Sequence, residues 1–82
     1  MRIPTIHLNG TSKERLLIDY EKAHRAVNTA MDTLNQIEFN ARDYYPQGPL
    51  AWSEAVNEMR VRFSMLAQIK DELELILEKL DE

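Results

Sequence analysis

The sequence predicts an all-α fold: a long antiparallel two-helix hairpin with a short extended N-terminal arm, assembling into a helical-bundle homo-oligomer. Three observations carry that expectation. Two stretches repeat apolar residues in steps of three and four, the period of a helix face. A segment rich in turn formers, "RDYYPQGP" (Arg42–Pro49), separates them. Finally, the apolar residues exceed what a single seam between two helices can cover.

The chain has 82 residues, enough for one domain. Residues 1–10 form the arm and residues 11–82 the hairpin, with a first helix over about 12–39, a turn at 40–48 and a second helix over about 49–81. In the arm, "MRIPTIHLNG", Pro4 pushes Ile3 out of helical geometry. Ile6 and Leu8 alternate with Thr5 and His7, as in a short strand with one buried face, and Asn9-Gly10 ends it as a turn.

The first helix opens on Thr11, followed three residues later by Glu14, the capping-box spacing. Its seam is Leu16, Tyr20, Ala23, Val27, Ala30, Leu34 and Ile37, a heptad pattern. Ala23 and Ala30 would let a neighbouring helix come close. A second row, Leu17, His24 and Met31, flanks the first. Asn40 is the expected left-handed cap after Phe39. The second helix starts at Pro49 or shortly after, proline suiting the first helical position. Its seam is Trp52, Val56, Met59, Phe63, Leu66, Ile69, Leu73, Ile76 and Leu80. No glycine or proline interrupts the chain from Leu50 to Glu82.

Leu17, Met31, Val61, Met65, Leu75 and Leu77 would stay wet in a lone hairpin. Covering a large aliphatic side chain is worth about 1.5–3 kcal/mol. A homo-oligomer is therefore expected, a dimer forming a four-helix bundle being the simplest case. The competing arrangement is a monomer whose arm covers part of that surface.

Charge narrows the function. The net charge of −4 gives no basic surplus of the kind nucleic-acid binders show, and Asp71–Glu82 holds six acidic residues against one lysine. No nucleic-acid polymer is expected as partner. No apolar run approaches the roughly 18 residues of a membrane span, and no signal-peptide pattern opens the chain, so no membrane partner is expected either. The absence of cysteine excludes disulfides and thiol chemistry and fits a reducing compartment. Asn9-Gly10-Thr11 matches a glycosylation sequon, a chance match in this setting.

Enzyme signatures are sparse, and the chain is expected to be non-enzymatic, with no cofactor. Glu21-x-x-His24 has the spacing by which di-iron bundles set two ligands on one helix face, but it occurs once. A hydrogen-bonded packing role for His24 is the preferred reading. His7 could act as a base only if the fold brought a nucleophile to it. Arg25, Arg60 and Arg62 could form a basic patch, which Glu54 and Glu58 would partly neutralise.

The turn carries more chemistry than a reversal needs. Pro46 presets its own φ and forces Tyr45 towards extended geometry. Tyr45-Pro46-Gln47-Gly48 fits a type I turn. Arg42 presents a planar fork suited to phosphate or carboxylate. Tyr44 and Tyr45 offer stacking faces, and Gln47 both donates and accepts. These four residues form the candidate site for a small anionic, nucleotide-like ligand. The plainer reading has Arg42 capping helix carbonyls or pairing with Asp43, and the tyrosines covering the end of the bundle above Trp52.

At "TIHLNGTSKERLL" and "NARDYYPQGP" the chain resembles a family of small phage and prophage proteins with an arm, a helix, an "RDYYPQG"-like turn and a second helix. The family often has glycine where this chain has Ala41, and a positive φ at alanine would be costly. The resemblance implies a viral accessory protein acting in the cytoplasm of an infected bacterium. Two roles follow. In one, the oligomer sequesters a small anionic ligand, such as a nucleotide immune signal, and so counters host defence. In the other, it is a protein–protein inhibitor or structural adaptor that meets a host protein through a helical face or the arm.

Overall fold

Ser12, in extended geometry, caps the first helix: its Oγ accepts from the Arg15 N–H at 3.1 Å. The cap thus falls one residue after the expected Thr11, and no capping box with Glu14 forms. Both hydroxyls are competent, and serine is the stronger N-cap. Glu14 still sits in the first turn, where a carboxylate meets the positive end of the helix dipole. The computed structural model describes all residues, Met1–Glu82, and is all-helical, with α1 at Lys13–Asn35 and α2 at Ala51–Leu80. No helix is long and apolar enough to cross a membrane.

The two helices pack antiparallel over their length. Burial on α1 follows Leu16, Leu17, Tyr20, His24, Val27, Met31 and Leu34, while Ala23, Ala30 and Ile37 are exposed. The row Leu17, His24, Met31 therefore belongs to the seam, and the alanines do not. Larger side chains on the adjacent row remove more surface from water, and this selects the rotation of the helix. On α2 the expected seam holds except at Ile69, which is 45% exposed; Lys70 takes its height instead. Lys70 is partly buried and brings its Nζ to 4.0 Å from Glu74 Oε1.

α1 stops at Asn35, about one turn before the expected end. The Gln36 N–H bonds back to the Thr33 carbonyl at 3.1 Å, and the Ile37 N–H to Leu34 at 3.3 Å, tightening the last turn. Thr33, Asn35 and Asn40 are weak helix formers, and leaving the helix frees Phe39 to pack inward. Asn40 is extended (φ −125°, ψ 140°) rather than left-handed.

The connection is two successive 3-10 turns, Ala41–Asp43 and Tyr45–Gln47. Each closes through i→i+3 bonds: Asp43 N–H to Asn40 and Tyr44 N–H to Ala41, then Gln47 N–H to Tyr44 and Gly48 N–H to Tyr45, all at 2.9–3.2 Å. Tyr45, expected to be extended ahead of Pro46, instead opens the second turn, whose paired bonds outweigh the steric preference. Ala41 avoids positive φ altogether; Gly48 alone has it (φ 121°, ψ 172°). Pro49 and Leu50 form a further turn, so α2 begins two residues after Pro49.

The arm has no strand. The expected turn is present, with the Gly10 N–H bonded to the His7 carbonyl at 3.1 Å. Ile6 and Leu8 are not buried: Leu8 is 98% exposed, while Ile3 and Pro4 are half-covered. A lone arm with no neighbouring strand has nothing to satisfy its backbone in sheet fashion.

Only Ala55, Ile76 and Leu80 are buried, all on α2, and the rest of the core is half-covered seam residues from both helices. The molecule measures 60 × 21 × 18 Å, with a radius of gyration of 18.4 Å. A compact domain of this length would have about 12 Å.

Gly48 tests the turn directly. A Cβ there meets no atom within 4 Å, so the cost of Gly48→Ala is that of the backbone conformation alone. Chemical denaturation should show a loss of about 1–3 kcal/mol, with the helical content of the folded state unchanged.

Candidate functional site

The turn is organised around three rings. Phe39 lies 4.8 Å from Trp52 and 5.7 Å from Tyr44, the latter edge-on, and Tyr44 lies 5.8 Å from Trp52. Such pairs contribute about 0.5–1.5 kcal/mol each beyond the area they cover. The cluster closes the end of the hairpin. Phe39 was the member the sequence hid, because its spacing extends the first helix; the early end of α1 is what turns it inward.

The four candidate residues share this loop but not one environment. Tyr44 is half-buried in the ring cluster. Tyr45 points outward at 67% exposure, and Arg42 and Gln47 are exposed. Arg42 makes no salt bridge to Asp43 and caps no helix carbonyl, so the plainer account of that side chain is not realised. For the tyrosines it is half realised: Tyr44 covers the bundle end beside Trp52, and Tyr45 does not.

His24 lies in the seam with its side chain 22% exposed. Its Nε2 is 2.9 Å from Glu74 Oε1 on α2, and its Nδ1 is 3.4 Å from Asn28 Nδ2. The Asn28 amide donates to Nδ1, so Nε2 carries the proton and donates to Glu74. Both ring nitrogens are thus engaged by partners other than Glu21. This is the only side-chain hydrogen bond that joins the two helices. No three His, Asp or Glu side chains are grouped to hold a metal ion.

Two open surface grooves lie away from the turn. One of about 540 Å³, at the opposite end of the hairpin, is lined by Leu17, Glu21, Leu77, Glu78, Asp81 and Glu82. Four carboxylates there disfavour an anion. The sequence signalled this feature through its acidic C-terminal run, though not the way Glu21 joins it. A shallower groove of about 410 Å³ runs along α2 past Ser64, Gln68 and Leu75. Among the basic residues, Arg62 pairs with Glu58 at 3.7 Å on its own helix, the partial neutralisation expected of that patch.

No family model, curated protein or solved structure matches this chain.

The two adjacent tyrosines should separate cleanly by mutation. Tyr44→Ala should lower stability by about 1–2 kcal/mol in denaturant titrations through loss of its ring contacts. Tyr45→Ala should stay within about 0.5 kcal/mol of the parent.

Proposed function

We propose that the protein is a self-associating helical binding module whose turn contacts a small anionic ligand. The observation that carries the association is surface area. The single chain exposes 6412 Å². A compact monomer of 9.6 kDa exposes about 5,100 Å², leaving a surplus of about 1,300 Å². A standard interface takes about 800 Å² from each partner. Within the surplus stand Ile18, Ile37, Val61, Met65, Ile69 and Leu75, each between 41% and 56% exposed.

The state of Arg42, Tyr45 and Gln47 supports the ligand contact. An exposed guanidinium with no partner, a solvent-facing ring and a two-way amide sit on one short loop held by the ring cluster. Tyr44 serves as the support of that loop. Phosphate and carboxylate are the groups a free guanidinium fork binds best. The resemblance to phage hairpin proteins supports a role as a viral accessory factor that withdraws a nucleotide signal from a host defence. The second reading, an adaptor or inhibitor that docks on a host protein, draws its support from the same uncovered helical face and from Leu8 on the arm, 98% exposed.

Sedimentation equilibrium at micromolar concentration should give at least twice the chain mass of 9.6 kDa. A 9.6 kDa particle would remove the association. For the ligand, a thermal-shift screen against cyclic and linear nucleotides and inorganic phosphate should raise the melting temperature. A ligand at 100 times its dissociation constant adds about 2.7 kcal/mol. Arg42→Ala should abolish the shift and leave the sedimentation unchanged. A flat screen with every nucleotide would favour the adaptor.

A further inference from the structure

Ile18, Val61 and Leu75 lie on the backs of the helices, away from the seam, but a second group of exposed apolar residues is gathered on one face of the hairpin. At about 100° per residue, Ala23, Ala26 and Ala30 form a row roughly 90° to one side of the α1 seam. Met65 and Ile69 lie about 70–110° from the α2 seam. The helices run antiparallel, so both displacements point to the same broad face of the hairpin. His24, Asn28 and Glu74 are displaced in the opposite sense, and their hydrogen bonds place them together on the other face. The hairpin is two-faced. One side carries Glu21, Arg25, Asp32, Arg60, Asp71 and Glu78. The other has an apolar middle, bordered by Asp19, the Glu58–Arg62 ion pair and Glu72.

The His24–Glu74 bond also fixes the heights. Counting down α1 and up α2 from that pair, Ala26 stands level with Glu72, Ala30 with Gln68 and Thr33 with Met65. Ile69 falls at the height of Thr29, between Ala26 and Ala30. Small residues on α1 therefore lie at the heights of large ones on α2, and all of these side chains are exposed in the single chain except for their ordinary helical neighbours.

We infer that this face binds a second copy of the chain about a twofold axis parallel to the hairpin, with both turns at the same end. Such a rotation leaves every height unchanged and lays α1 of one copy antiparallel on α2 of the other. Ile69 of each copy then enters the gap over Ala26 and Ala30 of its partner, and Met65 meets Thr33. The opposite arrangement, with turns at opposite ends, would stack alanine row on alanine row and the Met65–Ile69 ridge on itself. Small on small leaves voids, and large on large holds the helices apart, both costly in a packed interface. The inference rests on the self-association proposed above and adds its consequence for the site. The two Arg42–Gln47 loops become neighbours, so the ligand site is completed by the partner's Arg42 and Tyr45.

The chain has no cysteine, which allows a single spin label at one introduced thiol. The site should be Asp43→Cys, in the exposed loop. With helix axes about 10 Å apart, labels at the same end should lie within roughly 20–30 Å by double electron–electron resonance. Opposite ends would give about 45 Å or more, the length of α2. Ala30→Arg, at an exposed position on the proposed face, should halve the sedimenting mass while circular dichroism retains the helical signal. Asp32→Arg, on the other face, should leave the mass unchanged. A monomeric parent protein overturns the association itself. A dimer with the long distance, or one that Ala30→Arg does not dissociate, overturns this face and arrangement alone.

Discussion

Everything in this molecule depends on the single seam between two long helices. Two cylinders side by side can cover only the stripe where they touch. The seam sets the rotation of each helix, and with it which residues are left outside. It brings His24 level with Glu74 and so fixes the sliding register. It also explains the thin core: only Ala55, Ile76 and Leu80 lose nearly all contact with water. Large apolar side chains outside the seam follow from this geometry.

The turn shows a second balance. One more helical turn after Asn35 would add backbone hydrogen bonds but would hold Phe39 away from Trp52. Part of that bonding is recovered without it: the Gln36 and Ile37 N–H groups bond within the tightened last turn, and the two 3-10 turns pair backbone groups further along the loop. The aromatic cluster is then a net gain. Gly48 absorbs the reversal at a φ of 121°, which other residues rarely adopt. The loop is therefore rigid for reasons independent of Arg42, Tyr45 and Gln47. Those side chains are free to face outward.

The hairpin was legible in the sequence because its periodicity is long and unbroken. The choice between neighbouring rows was not. Leu17-His24-Met31 and Ala23-Ala30 carry the same heptad spacing, and only the facing helix decides between them. Ile69 against Lys70 is the same ambiguity on α2. The end of α1 depended on Phe39 meeting rings from beyond the turn, a contact that no local pattern encodes. At the candidate site, the residue types and the turn formers could be read directly. The inward rotation of Tyr44 and the outward one of Tyr45 could not, since adjacent identical residues differ only through what lies beneath them. The arm misled because alternation alone suggests a strand, while a strand needs an edge to join.

The placement of the few buried residues has a mechanical consequence. Ala55 lies beside the ring cluster, and Ile76 and Leu80 lie at the far end. Between them the helices are held by half-covered side chains and one polar bridge. The hairpin is thus sealed from water most completely near its two ends and least at mid-length. Opening free energy in such a body is lowest where the fewest apolar groups leave water. The middle span also carries Ala26, Ala30, Met65 and Ile69, so a partner seated on this face would cover the stretch that the hairpin itself seals least.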